Sequence, residues 1–256
     1  MVYFNAPPYW KYFATYDEFT ATVRQSAGYF DQLSSLDLQA RHARSNAEYY
    51  ERYLNSFVPF TQEEKNKILA ALPKLPAKLS NIKYKFVKLS AGVELNNPHT
   101  IGSLVMMVGG LINDGLVNDA LKLLLTHEII HIYQRYNLRE TNKFLAALNF
   151  HYLGGASCKP INCASNPDVA NTYTYMGKIP RLIYIAGTNI QPNYAGGMAD
   201  VLQHAAPPKW QFSKWQFDNL PQSQPEEIMA ELLSRYITGR QISEKYIKII
   251  SYWLNN

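Results

Sequence analysis

The stretch from residue 116 to 137, LVNDALKLLLTHEIIHIYQRYN, constrains the fold more than any other part of the chain. Leu121, Leu125, Ile129, Ile132 and Tyr136 recur at helical spacing and form one apolar stripe. Leu124 and Ile130 add apolar surface elsewhere on the same helix, so it has to be buried on most sides. Asn113-Asp114-Gly115 marks a turn and helix start, and Asn137 fits a left-handed stop. A core must be built around such a helix.

The same helix carries Thr126-His127-Glu128-Ile129-Ile130-His131. Residues four apart lie on one face, about 6 Å apart along the axis. His127 and His131 therefore point the same way and can reach one zinc ion with bonds of about 2.0–2.1 Å. Glu128 is one step round the helix, placed to touch a water on the metal; that is the physical content of H-E-x-x-H. Two histidines and a glutamate on a buried helix would be costly without such a purpose.

The rest of the chain frames this helix. A length of 256 residues with 47% hydrophobic and 18% charged side chains fits one folded domain without long disorder. The net charge of +5 is scattered, without the clustered stripe that nucleic-acid binding needs, so a basic nucleic-acid-binding protein is a minor alternative. No basic-then-apolar leader opens the chain, and the longest apolar patch, LVMMVGGLI, is too short to span a bilayer. The expectation is a soluble intracellular protein with no membrane partner. Cys158 and Cys163, in CKPINC, read as two reduced thiols in a loop, with a local disulfide as the alternative.

Residues 1–80 read as helical. One helix opens at Thr15 or Tyr16 and ends at Gly28; a longer one covers LDLQARHARSNAEYYERYL, with His42 solvated on it. Thr61 and Glu64 form a capping box before a helix that Pro73 and Pro76 stop. In NIKYKFVKLSA, Ile82, Tyr84 and Phe86 alternate as in a half-buried strand, and IGSLVMMV reads as a second strand. After the 81–137 unit a helix covers ETNKFLAALNF. Residues 154–208 are rich in Gly, Pro and Asn, an insertion carrying small strands, RLIYIAG among them, and part of a cleft. Helices return over 225–256.

HEIIH on a buried helix preceded by two strands resembles the zincin metallopeptidases over about half the chain: 82–108, 113–137 and 225–239. The resemblance implies an α+β, mostly helical fold with a small sheet. Its edge strand, here IGSLVMMV, would border the cleft and pair with an extended peptide. The metzincin branch places a glycine and a third histidine where this chain has Gln134 and Asn137, so it is excluded. The gluzincin branch takes its third ligand from a later helix, and Pro225-Glu226-Glu227-Ile228-Met229-Ala230-Glu231 is similar to that pattern. Glu227 and Glu231, four apart, share a face, while Glu226 turns towards solvent beside the stripe of Ile228, Leu232 and Tyr236. The residues leave both carboxylates open; the family pattern puts the metal ligand first, at Glu227, and its supporting partner four later, at Glu231. NNPHT, HEIIHIYQR, NPD and PEEIMAE together also resemble little-characterised zincin-like proteins, some of them from large DNA viruses.

The resemblance implies zinc as cofactor, a peptide or protein substrate, and Glu128 as general base. Candidates for the oxyanion or substrate contact are Tyr173, Tyr175, His204 and His99, with Thr100 and Asp168 as further polar residues near the cleft. A catalytically inactive zincin-like binding protein is the other reading of the same fold.

Overall fold

The computed structural model describes residues 11–108, 112, 118–155, 166–168, 171–175 and 224–256. The architecture is α+β, with a small mixed four-stranded sheet and a separate two-stranded one. Four short helices open it: α1 (Tyr16–Gln25), α2 (Ala27–Asp31), α3 (Ser35–Ala40) and α4 (Asn46–Leu54). Thr15 with Glu18, and Ser34 with Asp37, form capping boxes, and Ser45 accepts from the Glu48 N–H. Each such cap contributes about 1 kcal/mol and decides where a short helix begins.

The caps correct two sequence expectations. Gly28 lies inside α2 and ends nothing. The long helix expected across LDLQARHARSNAEYYERYL is broken: His42 is left-handed at φ 52°, its N–H reaches Gln39 O, and the Ala43 N–H reaches Leu38 O at 2.8 Å. That crossed pair closes α3 by satisfying its last carbonyls, and Ser45 starts α4 afresh. His42 is solvated as expected, but on a turn.

The sheet contains β1 (Phe57–Val58), β2 (Lys85–Leu89), β3 (His99–Ile101) and β4 (Leu104–Val108) in the order β1-β2-β4-β3. Only β2 and β4 run parallel. Between β1 and β2 lies α5 (Gln62–Ala70), with the expected Thr61–Glu64 capping box. IGSLVMMV is not one edge strand. Gly102, at φ +57°, turns the chain, so Ile101 ends β3 and Leu104 starts β4. The strand before the long helix, β4, is internal, and β3 is the edge. A Cβ at Gly102 would approach the Thr22 methyl to 2.7 Å, a second reason for glycine there. The β2 strand is also less half-buried than its alternation suggests, because both faces are covered. Phe86, Val105 and Met107 pack towards α5 and the long helix, whereas Val87, Leu89, Leu104 and Met106 pack on α1, α2 and α4.

The long helix is α6 (Asn118–Tyr136), followed by α7 (Leu138–Ala147), the hairpin strands β5 (Phe150–Gly155) and β6 (Asn171–Tyr175), α8 (Pro225–Ile237) and α9 (Glu244–Asn255). Leu121, Leu125, Ile129 and Ile132 of α6 face the sheet; Ile130 and Tyr133 face a second core formed with α7, α8 and α9. Tyr136, expected on the stripe, is exposed. Asn137, at φ −131°, is no left-handed stop but the residue from which α7 begins. The helix start expected at residues 113 to 115, RLIYIAG, Cys158, Cys163 and His204 lie outside the described residues. Among the described residues no helix is long and apolar enough to cross a membrane.

Candidate metal centre

Two faces of α6 are used for packing on the sheet and on the second core. A third, carrying His127, His131 and Gln134, is turned to the first turn of α8. There Pro225 occupies the first helical position, where its missing N–H costs nothing, and Glu226 and Glu227 follow. His127 Nε2 lies 3.1 Å from Glu227 Oε2, His131 Nε2 lies 3.3 Å from the same oxygen, and the two Nε2 atoms are 3.0 Å apart. Ligands bound at about 2.0–2.1 Å to a tetrahedral ion are about 3.3 Å from one another. Among the described residues these three side chains form the one group of at least three able to hold a metal ion.

Each of the three side chains is oriented from behind. His131 Nδ1 donates to Gln134 Oε1 at 2.8 Å, which turns Nε2 towards the cluster. The Gln134 amide cannot turn round, because its Nε2 donates to the Glu226 carbonyl at 2.7 Å. His127 Nδ1 faces Glu231 Oε2 at 3.6 Å, and Glu231 Oε1 accepts from Arg235 Nε at 2.6 Å. Glu227 keeps Oε2 on the histidines while Oε1 accepts from Asn166 Nδ2 at 2.7 Å.

The charges are arranged to match. Burial opposes ionisation of Glu227, but the facing His131 and His127 outweigh it and hold the carboxyl well below the usual range. Burial likewise opposes charge on the histidines. The Glu227 carboxylate overcomes it, lifting His131 to about 9 and holding His127 well above its ordinary value, with Glu231 helping at His127. Glu128 behaves differently. Burial pushes its carboxyl up to about 8, and the nearby Asp168 adds to the rise. Its Oε2 is buried without a hydrogen-bond partner. A buried carboxyl oxygen left unpaired costs about 1–3 kcal/mol, and such cost is tolerated where a ligand or reactant supplies the partner.

The other expected residues fall elsewhere. Glu226 is not solvated: it is buried, with Oε1 accepting from Asn171 Nδ2 at 2.8 Å. Residue 226 belongs to the helix's inner side because α8 packs against both α6 and α7, a packing that pattern alone does not reveal. His99 is a core residue rather than a rim residue; its Nε2 meets the Tyr53 hydroxyl at 2.5 Å and its Nδ1 meets the Asn97 carbonyl. Tyr173 is buried in the second core and donates to Asn142 Oδ1 at 2.9 Å, so its hydroxyl is already engaged. Tyr175 ends β6 opposite Phe150, and its side chain lies outside the described residues.

Asp168 and Thr100 do come close to the centre, in a role that spacing did not suggest. Asp168 Oδ1 accepts from the Thr100 N–H at 2.7 Å and from Thr100 Oγ1 at 2.5 Å. Arg135 Nη2 donates to the Thr100 carbonyl, to Thr100 Oγ1 and to the Pro167 carbonyl. Gln134, Arg135 and Asn166 went unread in the sequence. Gln134 was within reach, since it lies three residues after His131 on the same face. Compared with known proteins, the chain matches no family model, no curated protein and no solved structure.

Proposed function

We propose that this protein is a zinc-dependent peptidase of zincin type, with His127, His131 and Glu227 as the metal ligands. One observation carries the reading: three ligand atoms converge at 3.0–3.3 Å beside a buried glutamate whose Oε2 lacks a partner. When bound, zinc would supply a Lewis acid that acidifies water and polarises a carbonyl. The chain's own residues do the rest. Glu128 takes the proton of the attacking water at Oε2 and returns it to the departing amine, so that one water is consumed and one acid and one amine result. Gln134 keeps His131 in the tautomer that presents Nε2, and Glu231 faces the far nitrogen of His127. A centre kept only for structure would have no use for Glu128.

The test is elemental analysis of the purified protein combined with cleavage of a quenched-fluorescent peptide library. We expect about one zinc per chain and cleavage that falls at least ~10²-fold in Glu128→Gln with zinc retained. His127→Ala or His131→Ala loses the zinc. A wild-type protein without zinc overturns the metal reading; one with zinc that cleaves no peptide favours the binding-protein alternative.

A further inference from the structure

We infer that Asn166 is a positioning residue that fixes how Glu227 presents itself to the metal, and that Asp168 and Arg135 hold Asn166 in place; this rests on the metal reading above. A carboxylate has two oxygens and a soft terminal torsion. Unless one oxygen is occupied, either or both can face the ion. Here Asn166 Nδ2 donates to Glu227 Oε1 at 2.7 Å and to Gln224 Oε1 at 3.1 Å, and only Oε2 remains for the histidine side. The amide is held in that sense because Asn166 Oδ1 accepts the Asp168 N–H at 2.9 Å, which a flipped amide could not do. The turn is then fastened at two further points. Asp168 grips Thr100 of β3, and Arg135 of α6 donates to the Pro167 carbonyl at 3.1 Å. Arg135 is on the helix that carries both histidines. A side chain four residues beyond His131 thus fixes the turn that aims the third ligand, across a sequence separation that no spacing rule would link.

The experiment measures zinc dissociation by competition with a chromophoric chelator, the visible absorption of the cobalt(II)-loaded protein, and thermal unfolding in chelator. Asn166→Ala is expected to weaken zinc by about 10–100-fold and to alter the cobalt(II) bands, because the carboxylate is free to turn. Asn166→Asp is nearly isosteric and sets one carboxylate against another, so it should weaken zinc further; it carries the measurement if the alanine variant does not fold. Asp168→Ala should shift both readouts in the same direction although it touches no ligand. A residue that only supports the fold would lower the unfolding temperature in chelator and leave the cobalt(II) bands alone. Zinc affinity within about twofold of wild type and unchanged cobalt(II) bands in either Asn166 variant overturn the inference, since supporting contacts are worth more than that. A wild-type protein that binds neither zinc nor cobalt(II) overturns the metal reading, and this inference with it.

Discussion

Glu128 Oε2 and Gln134 show how differently two buried polar side chains on one helix are treated. The glutamate oxygen is left unpaired, while the amide has a partner at each end. Replacing Gln134 by leucine keeps bulk but orphans the His131 Nδ1–H and removes the side-chain donor that ties the Glu226 carbonyl of α8 to α6. The expected outcome is a loss of about 1–3 kcal/mol in urea unfolding, with zinc affinity falling about 10–100-fold. Affinity unchanged to within error would show that the tautomer needs no such support. That His127 and His131 share one face was legible from their spacing of four, and the resemblance to the gluzincin pattern pointed to Glu227 as the carboxylate that meets them. Gln134 and Asn166 were not legible. An amide has no chemistry of its own to announce, and its role here depends on partners 92 and 61 residues away.

At the scale of elements, the helices before the sheet are tied by a buried charge network rather than by apolar contact alone. Arg41, at the end of α3, donates to Asp37 Oδ1 at 3.2 Å and to Glu94 Oε2 at 2.8 Å. Tyr29 and Tyr49 complete the Glu94 carboxylate at 3.0 and 2.7 Å. Burial opposes the charge on Glu94, yet Arg41 outweighs it and the carboxyl lies below its ordinary range. A depressed folded value means that the stabilisation is complete above the unfolded glutamate value and is lost as pH falls through the folded one. The stability gap between the wild type and Glu94→Gln should therefore shrink below about pH 4, measured by urea unfolding across pH. A gap that widens on acidification would mean that the pairing with Arg41 does not stabilise the fold. Arg41→Met, which strands Asp37 and Glu94, should cost about 3–5 kcal/mol at neutral pH. This network also explains why the helical reading of residues 36–54 failed. Periodicity saw an unbroken run of helix formers, whereas the turn at His42 is set by the Ser45 cap and by the need to bring Arg41 onto Glu94.

Across the whole molecule, α6 joins three bodies: the sheet, the α7–α9 core and the first turn of α8. The centre spans 100 residues between His127 and Glu227, so an ion bound there would link α6 to α8 and act as a clasp on the folded state. Free zinc at 100 times its dissociation constant should raise the unfolding free energy by about 2.7 kcal/mol. The gain should vanish in His131→Ala. Equal stabilisation of that variant would place the ion elsewhere. The edge of the sheet has a consequence of its own. Thr100 is the middle residue of the three-residue edge strand, and both of its outward backbone groups are taken, the N–H by Asp168 and the carbonyl by Arg135. An exposed strand edge is a template that any extended chain can copy, including a second molecule of the same protein. Here the central rung is filled by side chains from within. An incoming strand, substrate or neighbour, gains no hydrogen bonds at Thr100 until it displaces Asp168 and Arg135, so the sheet is guarded against indiscriminate growth on the side nearest its candidate chemistry.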